Sequence, residues 1–335
     1  MSKKFIFLGV LILIALLIFT ACAKKEEKPV EEKKIKVVGV YATPLEEPWP
    51  NVIHQALLKA KETLGIEYEW VESVGYTDFE RVLREIADTK KPDIIMGDAF
   101  GNEEPARRVA KDYPNIAFAF GSGGGPMNPN FAVFDNWIHE PAYLCGLIAG
   151  KLTKTNVVGV VGGYPVPEVN RIVNAFIQGV KEANPNAKVK VTFIGSWFDP
   201  PKAKEAAIAQ IEAGADVMYA ERYGVIDACK ERNIPCFGSL LDQWELAPDL
   251  VITGPVWDMY PTVEYVVEQV KKGTFEAIDL KDFSMMAKGG AKLAPYHNWE
   301  TKLPQEIKDL VEKRKQEILS GVFRVDVNEG VPKSD

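Results

Sequence analysis

Residues 157–180 read VVGVVGGYPVPEVNRIVNAFIQGV. An apolar run of strand length, 157–161, ends at a Gly-Gly pair. A helix then follows Pro167, with Ile172, Val173, Phe176, Ile177 and Val180 as its buried face. The run carries successive apolar residues rather than strict alternation. That pattern suits a strand covered on both faces, as in parallel sheets flanked by helices. Gly159, Gly162 and Gly163 do not make a G-x-G-x-x-G string, so the pair reads as a tight turn that brings the helix close to the sheet.

The same rhythm extends in both directions. Strand-length runs are expected at 35–41, 66–71, 93–96, 116–120 and 131–134, and again at 157–161, 189–194, 217–220, 236–240 and 250–253. Helical segments lie between them. Phe79, Val82, Leu83 and Ile86 form one stripe, with Thr77 and Glu80 spaced as a capping box. Asp199 reads as an N-cap before Pro200, and the Ala-rich segment after it stops at Gly214. Strand and helix in alternation give βαβ units and a doubly wound α/β fold. About 300 residues exceed what one core usually holds, so two such lobes are expected.

The chain opens with Lys3 and Lys4, an apolar run from 5 to 19, then Thr20, Ala21 and Cys22. A cationic start, an apolar core too short for a spanning helix and small residues before a cleavage point describe a secretory signal. Cys22 after Thr-Ala resembles a bacterial lipobox, in which the signal is removed and the cysteine lipidated. Residues 1–21 are therefore expected as signal peptide and 22–34 as a lipid-anchored polar tether. Losing Lys3 and Lys4 and no acid takes the formal charge from −7 to −9, which argues against nucleic acid as partner. Cys145, Cys229 and Cys236 remain. The last two are able to pair in an exported compartment, or each is a small core residue.

The three histidines, His54, His139 and His297, show no metal-ligand spacing, and no G-x-S-x-G elbow or Walker loop occurs. No metal or cofactor is expected, and no enzyme. Aromatic residues and carboxylates instead gather after strands, where open α/β sheets bind ligands. Trp49 follows the first. Asp98 and Phe100 follow the third, and Asn136 and Trp137 the fifth. Trp197, Phe198 and Asp199 come next, then Tyr223, Asp242, and finally Trp257 with Asp258. Of seven tryptophans, Trp49, Trp137, Trp197, Trp244 and Trp257 fall in these loops. Rings that stack and carboxylates that bond to edge heteroatoms together suit a flat heterocycle.

The stretch DNWIHEPAYLCGLIAGKLTKTNVVGVVGGYPVPEVNRIVNAFIQGVKEANP from Asp135, and GSWFDPPKAKEAAIAQIEAGADVMY after it, resemble the BMP family of basic membrane lipoproteins, which includes PnrA-like purine-nucleoside-binding proteins. The likeness spans 35–295. It implies two Rossmann-like lobes with parallel sheets, the type I periplasmic-binding-protein fold, and a ligand cleft between the lobes. Lobe 1 is expected to hold 35–137 and about 255–283; lobe 2 holds 138–254 and about 284–335. Hinges are expected near 136–140, 254–258 and 281–284. By the same resemblance Phe198 supplies a stacking ring, Asp258 a cleft carboxylate, and Asp98 borders the cleft. Where many members carry a G-x-x-D-x-S-F-N-like string, residues 43–51 read TPLEEPWPN, with Trp49 in place of the aromatic. The resemblance implies a monomeric, membrane-tethered binding protein serving an ABC permease and ATPase, with a purine base or nucleoside as ligand. Riboflavin or another flat heterocycle is the alternative, as is a ligand-sensing role. A nucleoside hydrolase using Asp98 and Asp258 is the remote one.

Overall fold

Among the described residues, nine parallel strands carry the fold, in two sheets. The computed structural model describes residues 34–121 and 123–335. The expected signal peptide, Cys22 and almost all of the expected tether lie outside the described residues. In the first sheet β1 (Lys36–Val40), β2 (Glu67–Val71), β3 (Ile94–Asp98), β4 (Ala117–Gly121) and β5 (Phe131–Phe134) stand in the order β2-β1-β3-β4-β5. In the second, β6 (Val157–Gly162), β7 (Lys188–Phe193), β8 (Val217–Ala220) and β9 (Cys236–Phe237) stand in the order β7-β6-β8-β9. Every pairing within these two sheets is parallel. A short antiparallel pair, β10 (Pro255–Trp257) with β11 (Ala291–Leu293), completes the strands.

Helices follow the strands as the apolar pattern dictates. They are α1 (Pro48–Thr63), α2 (Phe79–Thr89), α3 (Glu103–Asp112), α4 (His139–Leu152) and α5 (Pro167–Ala183), then α6 (Pro200–Glu212), α7 (Val225–Arg232), α8 (Tyr260–Lys272) and α9 (Gln305–Leu319). No helix among the described residues is long and apolar enough to cross a membrane. Helix α4 is apolar almost all round and buried along nearly its whole length, as such a composition requires. It meets α5 through two glycines. A Cβ at 146 would stand 2.1 Å from Phe176 O, and one at 179 would stand 2.1 Å from Tyr143 O, so only glycine permits this approach.

Local signals hold in part. Asp199 caps α6, its carboxylate accepting from Lys202 N at 3.1 Å, and Gly214 takes φ +102° just past the helix end. The capping box at Thr77 does not form. Asp78 occupies the N-cap of α2 without a side-chain cap bond, and Arg81 takes its carboxylate, while Arg84 and Arg108 take Glu80. The strand expected at 250–253 is reduced to one bridge, Val251 to Cys236. Strand β9 itself stops after two residues, where Gly238 packs backbone-to-backbone on Gly254. Cys145, Cys229 and Cys236 are buried free thiols in this structure, with Cys229 and Cys236 side by side and not joined by a disulfide.

Candidate functional site

The C-terminal strand ends of both sheets face one cavity of about 250 Å³. After β1, Glu47 caps α1 by accepting from Trp49 N at 3.1 Å, which seats Trp49 in the first turn with its ring toward the cavity. Trp49 stacks on Phe134 (6.0 Å, 17°) and leans on Trp257 (5.0 Å, 56°). Gly121, at the end of β4, gives the ring its room: a Cβ there would stand 1.9 Å from Trp49 Cη2. Asp98 ends β3, accepts from Phe100 N at 2.8 Å and turns its remaining surface to the cavity. Asp135 and Trp137 follow β5.

The second sheet supplies the facing wall. Glu168 and Arg171 stand in the first turns of α5, Trp197 follows β7, and Arg222 follows β8. Arg222 is buried and gathers acids from both walls. It donates to Glu221 at 2.7 and 3.0 Å, to Trp197 O at 3.0 Å and to Glu47 at 3.4 Å. Arg171 Nη2 donates to Asp135 at 2.5 Å and to Asn136 O at 2.6 Å, while its Nη1 donates to Glu329 at 3.1 Å. Its guanidinium lies 4.2 Å over the Trp137 ring. Asn136 Nδ2 donates to Glu168. Phe100 meets Trp197 edge-on at 4.9 Å. These contacts join the two walls directly.

Burial perturbs the acids. It pushes Glu47 up to about 8 against the pull of Arg222, and Asp98 up to about 7 with the help of the Asp135 charge. Glu168 rises to about 8, chiefly through burial and then through Asp135. Asp135 is raised by burial, and Arg171 restrains the rise. The cavity is thus walled by aromatic rings and by carboxylates held close to protonation, suited to accept from N–H and O–H groups of a planar ligand.

Of the residues singled out in the sequence, Trp49, Asp98, Phe100, Trp137 and Trp197 line this cavity. Phe198 does not. It lines an adjoining pocket with Tyr76, Tyr164 and Trp197, and stacks on Tyr223, itself outside both pockets, at 6.0 Å. Asn136 is fully buried beside the cavity, bonded to Glu168 rather than lining it. Asp199 is occupied as a helix cap. Asp242 accepts from His297 at 2.7 Å, away from the cavity. Trp257 backs Trp49 as a buried wall, its Nε1 donating to Ser284 Oγ at 2.9 Å. Asp258 accepts from Tyr260 N at 3.0 Å and does not line the cavity. Sequence reading missed Glu47, Tyr76, Glu168, Arg171, Arg222 and Glu329. The strand-end rule applied to charged residues finds Glu168, Arg171 and Arg222; nothing in the sequence points to Glu329.

Two parallel-sheet lobes enclosing a polar and aromatic cavity at their strand ends define a solute-binding protein of the type I periplasmic-binding-protein fold. A model of the ABC transporter substrate-binding protein PnrA-like (Bmp) family matches residues 35–317, and the chain belongs to that family. A purine-binding protein of Brucella abortus is 31% identical over 87% of this chain and 82% of its own length. A putative ABC transporter glucose-binding protein of Haloferax volcanii is 29% identical over 87% of this chain and 74% of its own. A solved ABC transporter solute-binding protein of Aeropyrum pernix superposes with a TM-score of 0.75 at 20% identity, covering 88% of this chain and 94% of that one. Members of the family are extracytoplasmic solute-binding proteins that serve ABC transporters, and they work with a permease and an ATPase.

Proposed function

We propose that this chain is the lipid-anchored receptor of an ABC importer for a purine base or purine nucleoside. The observation that carries the reading is the cavity itself, whose rings and carboxylates come from strand ends of both lobes. Trp49 and Trp137 on one wall and Trp197 on the other offer faces to a flat ring, and Asp98 and Glu168 accept from its edge N–H groups. The cavity of about 250 Å³ is of a size for a base or nucleoside, and the pocket of about 400 Å³ that adjoins it at Trp197 leaves riboflavin as the alternative.

In this reading lobe 1 comprises 35–137 and 255–283, lobe 2 comprises 138–254 and 284–335, and closure runs about the segments between them. The permease reads the closed form. Lipid on Cys22 holds a monomer at the outer face of the membrane. The purine-binding name of the Brucella relative supports the ligand class.

The test is to express the full chain, denature it and identify what is released by mass spectrometry. A purine base or nucleoside at stoichiometric level is expected. A stoichiometric sugar, flavin or other compound overturns the purine assignment while leaving the binding-protein class intact.

A further inference from the structure

The segment 326–335, past helix α9, doubles back along α5. One polar stripe of that helix grips it. Asn170 Nδ2 donates to Glu329 O at 2.9 Å, and Asn174 Nδ2 donates to both flanking carbonyls, Asn328 O and Gly330 O, at 2.8 Å. Gln178 accepts from Asp326 N at 3.3 Å, and Lys181 donates to Asp335 at 2.7 Å. At its far end Asp335 N donates to Val189 O and the Asp335 carboxylate accepts from Val189 N, extending the edge of β7. Positions 170, 174, 178 and 181 fall three and four apart, so one helix face holds the whole segment. The clamp on both sides of Glu329 fixes its carboxylate at the cavity wall, 3.1 Å from Arg171 Nη1. Glu329 lies beyond residue 317, where the family match ends.

Helix α5 reaches the opposite wall through Arg171, at Asp135 and Asn136 O, and through Glu168, at Asn136 Nδ2. The guanidinium carbon of Arg171 lies 4.2 Å over the Trp137 ring, and Glu329 holds Nη1 while Asp135 and Asn136 O hold Nη2. We propose that Glu329 is a positioning residue of the ligand site. Delivered by a strap zipped onto α5, it orients Arg171 for its bridge across the cavity and thereby sets ligand affinity. The proposal rests on the purine-receptor reading for its binding readout only.

Glu329→Ala, Glu329→Gln and wild-type full chains are titrated calorimetrically with adenine and with adenosine. Glu329→Ala is expected to weaken binding about tenfold, the scale of one charge-assisted hydrogen bond. Glu329→Gln keeps an acceptor oxygen and is expected to recover affinity to within about threefold of wild type. The ligand-free melting temperature should move little, because buried Arg171 keeps Asp135 as its charged partner and Glu329 itself is exposed. Binding by Glu329→Ala within twofold of wild type overturns the proposal, as does a loss that Gln does not rescue. If wild type binds neither adenine nor adenosine, those two are excluded as ligands, and hydrogen exchange of the ligand-free chains decides the positioning role. Faster exchange at 135–138 in Glu329→Ala, across the cavity from the strap, supports positioning; acceleration confined to 326–335 overturns it.

Discussion

Replacing Asp98 by asparagine should stabilise the ligand-free protein above neutral pH while weakening its hold on ligand. The carboxyl ends β3 and opens only to the cavity, and burial lifts it from the ordinary 3.8 to about 7. Between those values the unfolded chain is ionised and the folded one is protonated. The folded state binds the extra proton, so this group's contribution is full below pH 4 and is lost progressively as pH rises to 7. The gap corresponds to about 4 kcal/mol, and solvent reaching the cavity lowers the expected figure to about 2–4 kcal/mol. Asparagine keeps the oxygen that accepts from Phe100 N and cannot ionise. Urea unfolding of wild type and Asp98→Asn at pH 4.5 and pH 8 measures the effect. The two should be close at pH 4.5, and the variant ahead by that margin at pH 8. Glu168 is common to both proteins and cancels in the difference, while the charge of Asp98 also raises Glu47, so removing it relieves Glu47 and adds to the margin at pH 8. Ligand affinity at pH 8 should fall about 10- to 100-fold, because a neutral amide replaces a charged acceptor. A margin that does not widen with pH, or a variant less stable at pH 8, refutes the reasoning.

Gly121→Ala drives a methyl into the Trp49 ring, which Phe134 and Trp257 prevent from retreating; a loss of about 1–3 kcal/mol in urea unfolding and weaker ligand binding in calorimetry are expected. Arg222→Met strands Glu221 and Glu47 without their shared cation, which should cost about 3–5 kcal/mol near pH 8. That deficit should shrink toward pH 5, since Glu47, already raised by burial, can then take up a proton, and unfolding curves at both pH values check it. Cys22→Ala should shift the protein from the membrane fraction to the soluble fraction, as read by immunoblot of fractionated cells.

The alternation of strands and helices was legible because burial on both faces leaves continuous apolar runs, and caps such as Asp199 and Gly214 mark their own ends. Helix α2 misled locally, since Arg81 competes for the side chain that a cap would use. The site was legible only as a region. Some of the strand-end loops singled out do border the cavity, yet which side chain turns inward depends on packing that spacing does not show. Trp49 and Trp197 line the cavity, while Trp257 backs the wall and Asp242 meets His297 elsewhere. The arginines were hidden for a different reason. A charge in an amphipathic helix, such as Arg171, or in a turn after a strand, such as Arg222, reads as surface until its partners are known. Those of Arg171 lie 36 and 158 residues away, and one of Arg222 lies 175 away.

The most direct test of the account is calorimetric titration of the ligand-freed chain with adenine, guanine, hypoxanthine, their ribonucleosides, riboflavin and glucose. The account predicts saturable one-to-one binding of at least one purine base or nucleoside, abolished or strongly weakened in Asp98→Asn, with no binding of glucose. Tight binding of glucose with flat purine titrations would contradict it.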